Sequence, residues 1–392
     1  MTEKLYLRDS YETEFSADIV KKIDFKGRTG LILNRTYFYP ESGGQLCDKG
    51  RINNSSVIEV FEDGNNIIHL IDSDIHTEKV NGRIDWNYRF NNMQQHTGQH
   101  ILSQSFIRLF NASTISSTLG KNVCTIDILK ENLSLDEVTE VENVANRIVY
   151  ENRAVRIHFP EPGELDKFPL RKLPPEGKKP RIIEVESFDF SPCGGTHCKS
   201  TGEVGIIKIK KWERYKGNIR VEFLCGLKAL RDFQQKNIIV NKLMEKLSGR
   251  ENEIINRTEK IIEDNKVLRK RNNNLLNKIL EQEVKELLSM GDIKRGRKII
   301  RKVFIDRDIN EIKNIAIKIK SYENCISILG IKGEKGHIIF SCSENLNLDM
   351  NELIRRVFAE IKGKGGGTKF FAQGGCSSND VELALELVER FL

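Results

Sequence analysis

NNMQQHTGQHILSQSFIRLF, residues 91–110, is where the chain changes from a strand pattern to a helical one, and its reading decides the fold. Met93, His96, His100, Ser103 and Ile107 recur at three- to four-residue spacing. That predicts a helix over about 92–110, with Asn91 or Asn92 as N-cap. Upstream, residues 1–88 read as β. TGLILNRTYFYP (29–40) and VIEVFEDGNNIIHLID (57–72) are rich in β-branched and aromatic residues, and DGNN (63–66) is a hairpin signal. YPESGGQLCDKG (39–50) punctuates these strands, so a small barrel or sandwich is expected. Downstream come a strand, NVCTIDIL (122–129), and a helix opened by the capping box SLDE (134–137). Strands follow near 154–159 and 181–186, then a hairpin over 203–226. Sheet and helices without a βαβ rhythm argue α+β.

Residues 227–288 contain no proline. Val240, Leu247, Ile254, Ile261, Leu268 and Leu275 fall seven apart, but Glu251, Thr258, Asn265 and Asn272 take the complementary positions. This predicts a long helix or helical hairpin with one apolar stripe, serving as a spacer or as a dimer contact. From about 299 the pattern becomes α/β: KIIRKVFID, a helix, CISILGI, GHIIFSC, a helix at 350–361, GKGGGTKFFAQGGC and a last helix. The expected architecture is an α+β multidomain chain. It has a β-barrel domain at 1–90, an α+β domain at 91–226, the long helical linker at 227–290 and a small C-terminal α/β domain at 291–392.

The net charge is +7, and residues 260–302 alone carry 13 Lys/Arg against 6 Asp/Glu. Such a run is either a solvated helix face or the footprint of a polyanionic partner. MTEKLYLRDSYETEF at the N-terminus lacks the apolar core of a signal peptide, and no run approaches 18 apolar residues. A cytoplasmic protein without a membrane segment is expected. Eight cysteines with no framework spacing fit a reducing compartment, with thiols free for metal.

His96 and His100, four apart on a helix, project from one face and could reach one ion. Taken alone, such a pair is more commonly packing than ligand. A second half lies in SPCGGTHCKSTGEVG (191–205), where Cys193 and His197 are also four apart in a Pro/Gly-rich turn. The glycines let that turn bend so that both side chains converge. Cys198 is a rival ligand, although on an extended chain it points away from His197. Three imidazoles and one thiolate around a divalent ion leave a net charge of about +1. That favours a Lewis-acidic ion over a purely structural one.

HTGQHILS followed about 90 residues later by CGGTHCKSTGEVG resembles the editing domain of alanyl-tRNA synthetase. It is still more similar to the freestanding trans-editing proteins of that family, called AlaX. YPESGGQLCDKG resembles the glycine-rich element of the family's barrel, and GKGGGTKFFAQGGC its DHH-associated C-terminal domain. In order and spacing the likeness covers nearly the whole chain, as in the long form of AlaX. The resemblance implies a Zn2+-dependent deacylase hydrolysing serine, with glycine as a second candidate, from mischarged alanine tRNA. His96, His100, Cys193 and His197 match its metal positions. Two departures stand out. The synthetase motif commonly has alanine where Gly98 stands. Glycine costs a helix about 1 kcal/mol there and is expected to loosen this wall of the pocket. The C-terminal element reads GGGT where synthetases often have GGGR.

Ester hydrolysis needs an activated water and oxyanion stabilisation. Telling serine from alanine needs a partner for its hydroxyl. Gln45, Thr97 and Ser117 are the candidate catalytic residues, with Ser116 and Thr118 as further candidate readers of the hydroxyl. Gly43, Gly44 and Gln45 are the candidate substrate-binding residues, the glycines through backbone N–H groups. For tRNA, the candidates are Lys208, Lys210, Lys211, Arg220 and Lys364, with the basic loop 167–181 and the helix at 260–302. A homodimer through the helix and C-terminal domain is a further expectation. Three other readings compete. A complete synthetase is disfavoured because the resemblance starts at the barrel. A DHH phosphoesterase needs an Asp-His-His that this sequence does not contain, and Lys364 is followed by glycine, which no P-loop allows. A non-catalytic, zinc-stabilised tRNA-binding protein is the alternative that turnover would separate.

Overall fold

In the computed structural model, which describes residues 1–161, 163–174 and 179–392, the chain forms two units, Met1–Leu243 and Met244–Leu392. The first opens with eight strands: β1 (Glu3–Lys4), β2 (Glu14–Phe25), β3 (Arg28–Leu33), β4 (Arg35–Thr36), β5 (Gly50–Ile52), β6 (Ser55–Asp63), β7 (Asn66–Ile71) and β8 (Lys79–Ile84). Antiparallel pairings run β2–β3–β7–β6–β5–β8 and return from β8 to β2, closing a six-stranded barrel. Alternating residues fill it: Leu31, Leu33, Phe38, Ile52, Val60 and Ile67 are buried inside. β1 and β4 pair in parallel beside it.

The helix of the opening stretch, α1, spans Trp86–Phe110 and so starts ahead of the Asn91 or Asn92 cap expected from sequence. Asp85 is its N-cap, accepting the Tyr88 N–H at 3.1 Å. The cause lies in WNYRF. Its aromatic residues look like strand, but Trp86 and Phe90 stack at 5.2 Å against the core of the next domain. The helix therefore runs through the boundary expected at residue 90. Arg89 ties it back to the barrel. Its guanidinium is fully buried, forms a two-point ion pair with Asp48, and donates to the Ser10 and Tyr37 carbonyls at 2.6 Å each.

Eight elements follow: β9 (Thr114–Leu119), β10 (Cys124–Ile128), α2 (Leu135–Tyr150), β11 (Val155–His158), β12 (Ile182–Val185), β13 (Asp189–Pro192), β14 (Ile207–Tyr215) and β15 (Asn218–Cys225). The Ser134–Glu137 capping box opens α2, as its sequence predicts. The strands form one antiparallel sheet in the order β14-β15-β10-β9 and another in the order β11-β12-β13. The sequence pattern does not single out β9 and β13. TISSTL has no apolar alternation and DFSP ends in proline, and both are edge strands, where such sequences are tolerated.

The linker is two helices, α3 (Gly226–Leu247) and α4 (Ile254–Met290). Ile261, Leu268 and Leu275 of the apolar stripe are exposed. The second unit adds β16 (Asp292–Lys294), β17 (Arg297–Ile305), α5 (Ile309–Lys320), β18 (Cys325–Lys332), β19 (Gly336–Cys342), α6 (Met350–Glu360), β20 (Gly363–Thr368), β21 (Phe371–Cys376) and α7 (Val381–Phe391). Its sheet runs β16-β17-β18-β19-β21-β20, with only β17–β18 parallel. The end of α4 and α5 share one apolar cluster with the sheet, and α6 and α7 share another. The glycine-rich stretch is the β20–β21 hairpin. A Cβ on Gly363, Gly365 or Gly374 would meet the Phe358 ring at 2.3, 2.7 or 2.4 Å, so these glycines let that ring lie on the strands.

Candidate metal centre

His96 and His100 stand one turn apart on α1, in its buried middle. Cys193 and His197 come from the loop that leaves β13. One donor atom of each lies within 4.8 Å of the others, a group that could hold a metal ion. Cys193 Sγ is 3.4 Å from His96 Nε2 and 3.3 Å from His197 Nε2. A tetrahedron with zinc–nitrogen and zinc–sulfur bonds has edges of roughly 3.3–3.8 Å, and these two edges fit it.

Each imidazole is aimed by a bond to its other nitrogen. His96 Nδ1–H donates to Gln45 Oε1 at 2.7 Å. His197 Nδ1 lies 3.3 Å from Thr97 Oγ1, and His100 Nδ1–H donates to Asp189 Oδ2 at 3.3 Å. The acceptor oxygens of Gln45 and Asp189 fix the tautomers of His96 and His100, and Nε2 of each ring is left for the ion, which is what the second nitrogen of a metal-ligating histidine usually does. The Gly195 N–H donates to Cys193 Sγ at 3.4 Å, a bond that favours the thiolate.

The electrostatics agree with that donor set. Burial pushes the Cys193 thiol up, but His96, His197 and His100 outweigh it and hold the group well below the usual thiol range. Burial and His96 hold His197 well below its ordinary value, so its ring is neutral and able to ligate. Burial opposes ionisation of Asp189, yet His100 and Arg171 keep it below the usual carboxylate range. Cys198, the rival ligand, faces elsewhere. It is buried, its N–H donates to Thr97 Oγ1 at 3.0 Å, and burial pushes its thiol up to about 12.

The loop is shaped by a glycine and an arginine. A Cβ on Gly195 would lie 2.0 Å from His96 Cε1, so only glycine lets that ring sit over the loop. Arg181 Nη1 donates to the Cys193 and Gly195 carbonyls at 2.6 and 2.9 Å, while Nε donates to Leu7 O at 2.9 Å. The sequence reading missed Asp189, and it placed Arg181 in the basic loop offered to tRNA, whereas Arg181 is buried and holds the metal loop. The available signal was a carboxylate four residues ahead of the cysteine and an arginine at the start of a strand.

The expected substrate residues are placed unequally. Gln45 is fully buried: Oε1 accepts from His96 and from the Thr196 N–H at 3.2 Å, and Nε2 donates to Thr196 Oγ1 at 2.8 Å. Thr97 is likewise buried, between His197 and Cys198. Both were expected to face substrate; their polar atoms are instead committed to the ligand rings and the loop. Gly43 and Gly44 form a tight turn with φ of 56° and 82°, bridged by Ser42 and Gln45. A Cβ on Gly44 would meet the Ser117 carbonyl at 2.6 Å, so its close approach is to β9; Gly43 faces open space. Ser117 is half-buried and Thr118 exposed on β9, while Ser116 Oγ donates to Asp127 at 2.7 Å.

The basic hairpin is also occupied. Lys208 pairs with Glu142, Lys210 with Asp232 and Lys211 with Glu222, at 2.6, 2.7 and 2.9 Å. Arg220 forms a two-point pair with Asp127 and lies over the Tyr215 ring. Each of these candidate phosphate contacts is thus paired with a carboxylate of the fold. Lys364 is exposed on β20. Of the basic loop 167–181, residues 175–178 lie outside the described residues.

Comparison with known proteins agrees with this layout. The family model for tRNA synthetases class II (A) matches residues 10–88. That for the threonyl and alanyl tRNA synthetase second additional domain matches 181–222, and the DHHA1 domain matches 296–392. The barrel, the Cys193 and His197 half of the pocket and most of the C-terminal unit thus each fall within a matched family model. The alanyl-tRNA editing protein AlaX-L of Pyrococcus horikoshii is 33% identical over 418 residues, covering 100% of both chains. The chain belongs to that family. The alanine–tRNA ligase of Pyrococcus furiosus is 30% identical over 99% of this chain, which spans only 43% of the ligase. Among solved structures, the C-Ala domain of Aquifex aeolicus alanyl-tRNA synthetase matches 25% of this chain and 96% of its own, at 24% identity and a TM-score of 0.23.

Proposed function

We propose that this chain is a zinc-dependent aminoacyl-tRNA hydrolase that edits in trans, cleaving the ester of mischarged alanine tRNA. Ser-tRNA(Ala) is the main substrate of this reading and Gly-tRNA(Ala) a second one. The observation that carries it is the pocket of His96, His100, Cys193 and His197, its rings held by Gln45, Thr97 and Asp189. Zinc there would supply a Lewis-acidic charge beside the ester carbonyl. The chain's own residues do the rest. Gln45, Thr97 and Asp189 are positioning residues that keep the donors converged. Gly43 offers a backbone N–H at an open position, and Ser117 and Thr118 offer hydroxyls on the neighbouring strand for reading the serine side chain. A pocket that hydrogen-bonds the hydroxyl discriminates strongly against a substrate lacking it.

In this reading residues 1–90 are a barrel domain, 91–226 the editing domain, 227–290 the helical linker and 291–392 the DHH-associated-like C-terminal domain, in a cytoplasmic protein. Lys364 and the basic segments contact phosphate, and the exposed Ile261, Leu268 and Leu275 support a homodimer. The test is a deacylation time course on Ser-tRNA(Ala) and Ala-tRNA(Ala), with His100→Ala alongside. Rapid loss of serine, slow loss of alanine and an inert variant are expected. Binding of both tRNAs with neither ester cleaved would leave a zinc-stabilised tRNA-binding protein instead.

A further inference from the structure

We infer that Arg171 is a positioning residue for the metal centre, acting through Asp189 on His100. The segment between β11 and β12 carries five described cations: Lys167, Arg171, Lys172, Lys179 and Arg181. Lys167, Lys172 and Lys179 are exposed. Arg171 turns inward instead, with its side chain 14% exposed and its backbone N–H donating to Phe190 O at 3.0 Å. Its Nε lies 3.6 Å from Asp189 Oδ1. The Asp189 side chain is fully buried, and its other oxygen accepts from His100 Nδ1 at 3.3 Å and from the Ser191 hydroxyl at 3.0 Å.

A buried carboxylate needs a cation or several donors packed beside it to hold its place. Arg171 is the arginine that meets this one. The anion in turn holds the His100 proton on Nδ1, which keeps Nε2 as a lone pair aimed at the ion. Without the Arg171 charge, Asp189 loses its compensation and His100 loses a fixed acceptor. A loop cation that never touches the ion thereby sets how tightly it is held. Lys167 and Lys172, pointing to solvent, have no such path to the site.

The inference rests on the reading that the four side chains hold zinc, and zinc affinity by competition with a chelator tests the two separately. Arg171→Met is expected to weaken zinc retention about tenfold, Arg171→Lys to recover most of it, and Lys172→Met to change nothing. In an Asp189→Asn background, Arg171→Met is expected to cost less than twofold, because the charge it compensates is gone. Arg171→Gln gives the same comparison if the Met variant does not fold. If Arg171→Met held zinc as the wild type does, or cost as much in the Asp189→Asn background, this inference would be overturned alone. A wild type that takes up no zinc would overturn both readings.

Discussion

Gly98 is a glycine because of Cys225. A Cβ at residue 98 would lie 2.3 Å from Cys225 Sγ and 3.2 Å from Val204 Cγ1, so the thiol fills the space that an alanine methyl would take. The pocket wall that sequence reasoning expected to be loose is therefore closed from the other side. Two effects oppose each other in Gly98→Ala. Helix propensity gains about 1 kcal/mol, while overpacking a rigid core costs about 1–3 kcal/mol. At 2.3 Å the steric term wins, so the variant should be less stable in urea unfolding. In a Cys225→Ala background the same change should be neutral or stabilising; an equal cost in both backgrounds would refute the pairing. Gly195→Ala acts on the metal loop instead. Its methyl would meet His96, so the expected outcome is a folded protein that copurifies with little metal, measured by elemental analysis.

At the scale of elements, α1 does two jobs: it anchors the barrel and it presents half of the pocket. Arg89 performs the first. Removing one partner of a buried ion pair costs about 3–5 kcal/mol, so Arg89→Met should lose that much stability by denaturant titration. A loss under 1 kcal/mol would show that the pair is not the anchor. The barrel has its own titrating group. His69 is buried against Phe38, with Nε2 2.9 Å from Thr36 Oγ1 and Nδ1 3.1 Å from Leu31 O. Burial lowers its pKa from 6.5 to about 4. The unfolded chain binds this proton more readily than the folded one. Stability is therefore full above pH 6.5 and falls as pH drops toward 4, by about 3 kcal/mol. Unfolding midpoints across that window should flatten in His69→Gln; an unchanged slope would assign the acid lability elsewhere. Elements with strong periods were legible from sequence: the helical middle of α1, the capped α2, the β14–β15 hairpin. The start of α1 was not, because Trp86, Tyr88 and Phe90 carry strand propensity that tertiary packing overrides. Nor were the edge strands β9 and β13, whose hydroxyls and proline carry no period.

On the scale of the whole molecule, the same division recurs at the site. The pairing of His96 and His100 with Cys193 and His197 could be read from two four-residue spacings, since each places its donors on one side of a local element. What holds those donors could not. Gln45 and Arg171 arrive from segments distant in sequence from the ligands, and Asp189, although four residues ahead of Cys193, is marked by no local period. Charge was misleading for a similar reason. The hairpin cations Lys208, Lys210, Lys211 and Arg220 look free in a linear string, yet the fold sets Glu142, Asp232, Glu222 and Asp127 against them. The central claim, that the four-donor pocket is the seat of hydrolysis, is tested most directly by metal removal. Protein stripped with a chelator, verified as metal-free and still folded, is assayed on Ser-tRNA(Ala) before and after one equivalent of zinc. The account predicts deacylation lost on stripping and restored by zinc. A metal-free protein that clears serine at the full rate would contradict it.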